Sequence, residues 1–237
     1  MHPYRFPPRL SYLWTMERLL LLFPTKLVPG FMSKHRRQFV SRCFVMTKNI
    51  IDISATPLPD GIEFSVLTDD EIDRIAAHDE ALRRIDYRDR QKNGDICYGL
   101  KAAGNIVSYN WIRFNECCVF CSFPWEIKFL PLNEKQAFTY DFYTYKQYRK
   151  KGYGTLLKRR LLQELRANGI EEIFSIVYRH NYKSLKIHLR LNYDAGYLFN
   201  GYQLLDWTHF LLIEKSELPE MSRWIDQFSL DNAAQDK

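Results

Sequence analysis

The sequence lacks an apolar run long enough to span a bilayer. Its most apolar stretch, residues 10–23, is interrupted by Glu17 and Arg18, whereas a membrane-spanning helix needs about 20 apolar residues. No small-residue cleavage site follows this stretch, so it is also a poor signal peptide. We therefore expect a cytoplasmic protein. Two alternatives remain for this stretch. It fits a helix that makes peripheral contact with a membrane surface, or a helix that packs in the core or in a homodimer interface.

Cysteine is scarce, and its count of five is odd. A chain of this length with an odd cysteine count is not a disulfide scaffold. Cys118 and Cys121 have the spacing of a zinc or redox pair, but no second pair and no nearby histidine completes a metal site. Their apolar, β-branched surroundings are typical of a strand. We expect buried thiols, no metal and a reducing compartment.

Acidic residues are rare in the first fifth of the chain. Residues 1–50 hold nine Lys/Arg and a single acid, Glu17, whereas the remainder holds 25 basic and 27 acidic residues. Such asymmetry indicates either an acidic partner for this arm, such as anionic lipid, or an arm that lies on an acidic patch of its own domain. No nucleic-acid-binding motif is recognisable, so we expect no nucleic-acid partner.

Prolines and glycines divide the chain into three parts. Residues 1–60 form a basic extension, predicted as one or two helices. Prolines cut it into short pieces, among them Pro7, Pro8, Pro24 and Pro29. Its end, residues 54–61, has the composition of a linker. The predicted folded domain covers residues 61–215, and a polar tail covers residues 216–237.

The first half of the predicted domain is mostly strand. Thr68 and Glu71 have capping-box spacing, which predicts a helix start directly after the first strand. Alternation on both sides of Gly104 predicts an antiparallel hairpin. The predicted strands are residues 62–67, 97–101, 106–114, 117–123 and 126–130.

The second half predicts a parallel crossover. A strand of aromatic and β-branched residues, 137–145, precedes a glycine turn and a helix that buries Leu157, Leu161 and Leu165. Gly169 should end this helix, and a short strand at residues 173–177 follows. Strand, helix and strand at this spacing imply a right-handed crossover.

Another helix and a terminal strand pair complete the predicted domain. Asn181 is a plausible N-cap for a helix over residues 182–191. Asn192 sits where that helix should stop, at a position that favours left-handed φ. Residues 196–205 and 207–214 are predicted to pair as strands.

The glycine turn, Arg149-Lys-Lys-Gly-Tyr-Gly154, is the most informative segment. Such a turn points several backbone N–H groups and a helix N-terminus at one spot, which suits a diphosphate. Gly152 and Gly154 let the backbone approach the ligand without a Cβ in the way. Lys158 and Arg159 are candidates to reach an outer phosphate.

These features resemble the GNAT superfamily of acyl-CoA-dependent N-acyltransferases. The turn matches the family signature Q/R-x-x-G-x-G/A. Downstream, Asn181, Ser184, His188 and Asn192-Tyr193 follow a second family pattern, although the family often has Tyr at the position of His188 and Gly at that of Asn192. The resemblance covers about residues 62–214. It implies an α/β (α+β) fold with a mixed, mostly antiparallel central sheet, one βαβ crossover and flanking helices.

The resemblance also implies coenzyme A carrying an acetyl or other acyl group. The acceptor would be the primary amine of a small molecule, such as an amino sugar or an amino-acid derivative, which attacks the thioester directly. The residues that would bind the cofactor are Phe142, Tyr143, Thr144, Arg149, Lys150, Lys151, Gly152, Tyr153, Gly154, Thr155, Asn181 and Ser184.

Two residues are candidates for proton transfer. Asp141 is a candidate base, and the alternative is a structural carboxylate bonded to an arginine or a neighbouring strand. His188 is a candidate acid, and the alternative is a partly buried helix histidine without chemistry. Four aromatic residues fit either an acceptor pocket or the core, namely Tyr109, Trp111, Phe123 and Trp125. A non-catalytic CoA-binding module and a longer-chain acyltransferase at the membrane surface remain alternative functions.

Overall fold

In a computed structural model, the description covers residues 40–51, 53, 57–78, 81–122, 125–204 and 207–214. The chain divides spatially into two units, residues 1–39 and residues 40–237, and the second unit contains everything described below. The predictions for residues 1–39 and for the tail at 216–237 lie outside the described residues.

The second unit is built on an eight-stranded sheet. Its strand order is β10-β9-β1-β8-β7-β4-β3-β2, and β5 and β6 form a separate two-stranded hairpin. The elements are β1 (Val40–Asn49), β2 (Ile62–Val66), α1 (Asp69–His78), α2 (Ala81–Lys92), β3 (Ile96–Ala102), β4 (Asn105–Arg113), β5 (Glu116–Ser122), β6 (Trp125–Pro131), β7 (Gln136–Thr144), a single 3-10 turn (Lys146–Tyr148), α3 (Tyr153–Ala167), β8 (Glu172–Tyr178), α4 (Tyr182–Arg190), β9 (Asp194–Leu204) and β10 (Trp207–Glu214).

Neighbouring strands of the large sheet are antiparallel except β7 and β8, which are parallel and joined by α3. The predicted mixed, mostly antiparallel sheet with one crossover is therefore confirmed. The strand pair at the end of the predicted domain is confirmed as β9 and β10.

The strand β1 differs from the prediction. It lies between β8 and β9 and pairs antiparallel with both, with Cys43 opposite Tyr178 on one side and Phe199 on the other. Cys43, Phe44, Val45 and Met46 are all buried. A helical extension that reaches residue 60 is therefore wrong for residues 40–49. A strand buried on both faces shows no alternation of polar and apolar residues. The basic residues and prolines around this short apolar run therefore dominated the sequence-based prediction.

The predicted helix ends are confirmed. At the start of α1, the Thr68 N–H donates to the Glu71 carboxylate at 2.9 Å, and the Glu71 N–H donates to Thr68 Oγ1 at 3.3 Å. Gly169 follows α3 with φ of 84°, and Asn192 follows α4 with φ of 57°. Both residues therefore adopt the left-handed conformation that ends a helix. None of the described helices is long and apolar enough to cross a membrane.

Helices cover both faces of the sheet. On the front face, α1 and α2 contribute residues such as Ile72 and Tyr87 to a cluster with Phe138 of β7. On the back face, α3 and α4 contribute residues such as Leu161 and Leu185 to a cluster with Ala137 of β7. Neighbouring residues of β7 thus point to opposite faces, as the strand pleat requires.

The described cysteines are buried, and Cys118 lies 3.2 Å from Arg113 Nη1. Burial raises the pKa of Cys97 and Cys117, so these thiols stay protonated and are poor metal ligands. Among the described residues, no cluster of His, Cys, Asp and Glu has the arrangement of a metal site. The side chain of Cys121 lies outside the description.

Candidate active site

The parallel strands β7 and β8 separate from each other. They pair from Gln136–Glu172 to Thr139–Ser175 and no further, although β7 continues to Thr144 and β8 to Tyr178. We call the opening beyond the Thr139–Ser175 rung the fork. On the β8 side of residues 142–144, no other described strand pairs with β7. The Thr144 carbonyl accepts a hydrogen bond from Arg149 Nε at 2.9 Å, and the other backbone groups of that edge are available to a bound ligand.

A β-bulge in β7 lies at the fork. Tyr109 pairs with Tyr143 and Trp111 with Tyr140, so two residues of β7, Asp141 and Phe142, oppose the single residue Asn110. Asp141 has φ of 47°, which is uncommon for a residue with a side chain. The buried Asn110 amide donates to the Tyr140 carbonyl at 2.6 Å. This bond fixes the bulge, and a bulge bends its strand.

The glycine turn follows β7 after the single 3-10 turn. Lys150 and Gly152 have left-handed φ of 64° and 80°, and α3 begins at Tyr153. In the described part of the chain, no hydrogen bond occupies the backbone N–H groups of residues 150–155. The first N–H groups of a helix have no partner within it and carry its positive dipole end. The turn therefore offers a cluster of donors to an anion.

The two glycines of the turn are required for different physical reasons. A Cβ on Gly154 would lie 2.9 Å from Phe142 Cζ and 3.0 Å from Thr144 Oγ1, so α3 packs too closely on β7 for a side chain. A Cβ on Gly152 would meet nothing within 4 Å, so only its left-handed φ favours glycine. The open space at Gly152 and the donors beside it fit the diphosphate of coenzyme A.

Basic side chains surround this turn. The Arg149 Nε donates to the Thr144 carbonyl at 2.9 Å, and its guanidinium lies 5.4 Å from the Tyr143 ring centre. The Lys151 ammonium lies 5.8 Å from the Tyr148 ring centre. Arg149, Lys150 and Lys151 are exposed and add positive charge beside the N–H groups.

The cap of α4 lies just after β8. The Asn181 side chain accepts a hydrogen bond from the Ser184 N–H at 3.2 Å, which confirms the predicted N-cap. The Asn181 N–H donates in turn to the Tyr178 carbonyl at 2.8 Å. These contacts fix how α4 leaves the end of β8, whereas contact of Asn181 and Ser184 with the cofactor stays a prediction.

Asp141 forms an ion pair on the front face. Its carboxylate lies 2.7 Å from Arg90 Nη1, and 27% of its side chain is exposed against 7% for Arg90. The Arg90 guanidinium also lies about 5 Å from the ring centres of Tyr87, Trp111 and Tyr140. Asp141 is therefore a structural carboxylate bonded to an arginine, which was one of its two predicted roles. Its carboxylate is also partly accessible to solvent.

His188 is buried on the back face. Its Nδ1 lies 2.8 Å from the Ser184 carbonyl and its Nε2 lies 3.0 Å from Ser175 Oγ. Burial, and to a lesser degree the charge of Lys158, lower the pKa of His188 to about 3. A carbonyl only accepts, so Nδ1 carries the proton and Nε2 accepts. His188 is therefore neutral, and its one N–H is already used within α4.

Lys158 differs from its prediction as a phosphate ligand. It is fully buried on the back face, and its Nζ donates to Thr139 Oγ1 at 3.2 Å. Burial lowers the pKa of Lys158 to about 7. The signal was present in the sequence, because position 158 follows Leu157 and precedes Leu161 by three residues on the apolar stripe of α3.

Of the four aromatic candidates for an acceptor pocket, Tyr109 and Trp111 have described side chains, and two further tyrosines lie at the end of β7. Tyr109 and Trp111 are buried in the front core, so core packing explains both of them. Tyr143 and Tyr145 are only partly buried, and their ring centres lie 5.4 Å apart. Phe123 and the side chain of Trp125 lie outside the description.

A cavity of about 480 Å³ lies away from the fork. It is lined by Gln136 and Glu172, which form the first parallel rung, and by neighbours that include Thr47, Asp194 and Glu214. The fork opens at the opposite end of this pairing, beyond Thr139 and Ser175. The cavity is therefore separate from the turn and from the bulge.

The comparison with protein families agrees with this geometry. The description "Acetyltransferase (GNAT) family" matches residues 64–193, which is more than half of the chain and includes the turn, the fork and α4. The chain belongs to the GNAT acetyltransferase family. The resemblance seen in the sequence is thus confirmed, and acetyl-CoA is the co-substrate of this family.

The chain is similar to GNAT proteins of known structure at low sequence identity. A tandem GNAT protein from the clavulanic acid biosynthesis pathway is 12% identical with a TM-score of 0.50, and the match covers 71% of this chain and 56% of that one. A putative GNAT acetyltransferase from Novosphingobium aromaticivorans is 18% identical with a TM-score of 0.44, covering 66% and 60%.

A GCN5-related N-acetyltransferase from Kribbella flavida is 13% identical with a TM-score of 0.44, covering 79% of this chain and 64% of that one. The chain therefore spans less than two thirds of the length of these proteins. No curated protein matches the chain.

Proposed function

We propose that this GNAT protein is an N-acyltransferase that moves an acetyl group from coenzyme A to the primary amine of a small molecule. The observation that carries the proposal is the fork in the sheet, which opens beside a turn whose N–H groups have no partner in the described part of the chain. A coenzyme A thioester needs both features. The turn binds its diphosphate, and the fork receives its pantetheine arm and acyl end.

The chain's own groups divide the work of binding. The N–H groups of residues 150–155 and the helix N-terminus bind the diphosphate, and Lys150 and Lys151 add charge. Residues 142–144 offer backbone donors and acceptors to the pantetheine arm in sheet-like pairing. When bound, acetyl-CoA supplies the activated acyl group.

The acceptor amine enters from the front face. Asp141 is the partly exposed carboxylate at the bulge, and a carboxylate favours a cationic amine. Tyr143 and Tyr145 lie further along the same strand and provide ring surface for a sugar or an apolar amine. We propose an amino sugar or an amino-acid derivative as the acceptor class.

In this reaction, Asp141 accepts the proton that the amine loses as it attacks, directly or through water. Arg90 holds the carboxylate in position by a 2.7 Å contact and is itself fixed by three aromatic rings. The bulge at Asp141 turns the side chain towards Arg90, on the front face.

A non-catalytic CoA-binding module is the second candidate. The observation that favours it is the buried, neutral His188, which has no N–H left to protonate a leaving thiolate. Such a module binds coenzyme A at the glycine turn but does not catalyse acyl transfer.

Two measurements test the proposal together. Coenzyme A and acetyl-CoA at about 100 times their Kd should each stabilise the protein by about 2.7 kcal/mol, which is a rise in Tm of roughly 5–10 °C. Thiol release from acetyl-CoA should then appear with at least one member of a panel of amino sugars, amino acids and their derivatives. Stabilisation without thiol release indicates the module, and no stabilisation refutes both candidates.

Removal of the charge of Asp141 should separate catalysis from cofactor binding. We expect Asp141→Asn to lower kcat about 100-fold, because a positioned base contributes on that order, while the Kd for coenzyme A stays within about twofold. The loss of the ion pair should also lower stability by roughly 1–3 kcal/mol, because Arg90 is left buried without its carboxylate.

The matched control is Asp73→Asn. Asp73 also pairs with an arginine, Arg88, but both side chains are more than half exposed, and exposed pairs contribute little. This variant should keep wild-type kcat and stability. Wild-type turnover in Asp141→Asn would remove Asp141 from the mechanism.

A further inference from the structure

The side chain of Arg149 is bonded to the end of β7 that borders the fork. Its Nε donates to the Thr144 carbonyl at 2.9 Å. The Tyr145 N–H donates to the Val107 carbonyl of β4. Because neighbouring residues of a strand point their backbone groups in opposite directions, the Thr144 carbonyl points away from β4, towards the fork. The hydrogen bond therefore anchors Arg149 to the open edge of β7.

The guanidinium of Arg149 lies on the front face of the sheet. Its Cζ is 5.4 Å from the ring centre of Tyr143, which packs against the front cluster. Lys151 is only two residues further on, but its ammonium lies 5.8 Å from the ring centre of Tyr148. Tyr148 packs with Leu157 of α3, on the back face. The two basic side chains of the turn are therefore held on opposite faces.

Four partly buried side chains line the fork on its front face, and we call this surface the front mouth. Tyr143 and Tyr145 lie on the β7 side, and Ile176 and Tyr178 lie on β8 beyond the last parallel rung. An acceptor that enters from the front face must cross this surface to reach a thioester held in the fork. Arg149, fixed over Tyr143, is placed to contact that acceptor.

The charge of Arg149 has no partner in the described part of the chain. There, it forms no ion pair, and its two Nη groups make no hydrogen bond. Asp141, a carboxylate on the same face, is already paired with Arg90 at 2.7 Å. Within the described residues, this side of the fork thus carries an unpaired cation beside a neutralised ion pair.

A guanidinium in this position favours an anion. Arginine presents a planar pair of N–H donors that matches a carboxylate or a phosphate. The Nε bond and the ring of Tyr143 hold the group in place before a ligand arrives. Asp141 precedes Tyr143 by two positions, so their Cα atoms are at most about 7 Å apart. One small molecule can therefore reach both the carboxylate and the guanidinium.

We propose that the acceptor is an amine that carries an anionic group, and that Arg149 binds this group at the front mouth. The inference rests on the proposed acyl transfer and narrows its acceptor class, because a neutral amino sugar offers nothing to the two Nη groups. The carboxylate of an amino acid and the phosphate of an amino sugar phosphate share the required chemistry. The diphosphate of the cofactor is left to the N–H groups of residues 150–155, with Lys150 and Lys151.

The first test compares matched pairs of acceptors with the full-length protein. The pairs are α-amino acids with the α-amide of each, and glucosamine 6-phosphate with glucosamine. Thiol release from saturating acetyl-CoA should favour the anionic member of at least one pair by about tenfold or more in kcat/KM, mainly through a lower KM, because a hydrogen bond between charged groups contributes on that order. A preference among the amino acids identifies a carboxylate, and one in the sugar pair identifies a phosphate.

Arg149→Gln removes the charge from the front mouth. Glutamine occurs at this position of the family signature, so the turn should fold and the Kd for coenzyme A should stay within about twofold. The ratio between the anionic and the neutral member should fall to about one, through a rise in the KM of the anionic member. Lys151→Gln is the matched control, because it removes a charge from the same turn on the back face. It should weaken coenzyme A binding and retain the preference.

The second test needs no turnover. With the protein saturated by coenzyme A, isothermal titration of the same pairs should show the anionic member of one pair binding about tenfold more tightly, and Arg149→Gln should make the two Kd values equal. Added salt should narrow the difference in the wild type, because Arg149 is exposed. Arg88→Gln, at an arginine of α2 whose side chain is 67% exposed, should keep the wild-type difference.

The outcomes separate this inference from the proposed function. If the wild type transfers acetyl groups but favours the anionic member of no pair, only the inference is overturned. If Arg149→Gln keeps the preference and weakens coenzyme A binding as Lys151→Gln does, Arg149 belongs to the diphosphate site and the inference is again overturned. If the wild type releases no thiol with any amine, the proposed function fails. Equal Kd values within every pair would then overturn the inference as well.

Discussion

A chain that begins at residue 61 will not fold, whereas a chain that begins at residue 40 will. The strand β1 lies between β8 and β9, and its removal would split the sheet and leave each of these two strands with one open edge. Its four successive buried residues, Cys43–Met46, each contribute on the order of 1.5–3 kcal/mol by burial. Their sum is comparable with the 5–15 kcal/mol by which a whole domain is stable.

The measurement is a comparison of two truncated proteins. Residues 40–237 should be monodisperse or uniformly oligomeric and unfold cooperatively, and residues 61–237 should aggregate, because open sheet edges pair with other chains. In the full-length chain, Val45→Asp should reproduce the loss, since it places a charge at a fully buried position. A soluble, cooperatively folding fragment 61–237 would show that β1 is dispensable.

A negative charge at Gly152 will abolish tight cofactor binding. Gly152→Asp places a carboxylate beside the N–H groups that we assign to the diphosphate. Coulomb repulsion at about 5 Å near a protein surface corresponds to a loss of roughly 10- to 100-fold in affinity. Because a Cβ here meets nothing within 4 Å, the protein itself should remain folded. Isothermal titration with coenzyme A measures the loss.

Gly152→Asn is the matched control for this substitution. Asn has nearly the shape of Asp and also tolerates the left-handed φ of 80°, but it carries no charge. It should cost much less affinity than Asp, and salt should narrow the difference between the two variants, because the site is exposed. Equal Kd values for the two variants would show that the turn does not hold the diphosphate.

The turn and the crossover were predictable because local chemistry dictates them. The capping box at Thr68 and Glu71, the leucine stripe of α3 and the left-handed Asn192 each depend on a few residues that are neighbours in sequence. The residues at 150–155 that we propose to bind the cofactor likewise form one continuous segment. Such features are readable without knowledge of the rest of the fold.

The features that escaped prediction depend on distant partners. The strand β1 is specified by β8 and β9, which lie more than 120 residues away. The bulge at Asp141 is fixed by Asn110 on β4, and the ion pair of Asp141 needs Arg90 on α2. Lys158 was assigned to an outer phosphate because of its charge, although its position on the helix stripe indicated burial. The interpretation gave the charge of Lys158 more weight than the helical period of the buried positions, and it was wrong.

The place of β1 has a consequence for biosynthesis. The strand emerges from the ribosome before its neighbours in the sheet. Cys43 cannot pair until Tyr178 and Phe199 have been synthesised. Contacts between segments so far apart in sequence make folding slow. During that interval the apolar strand β1 is exposed to chaperones and to the sheet edges of other chains. The sheet is completed only late in synthesis, when β8 and β9 pair with β1.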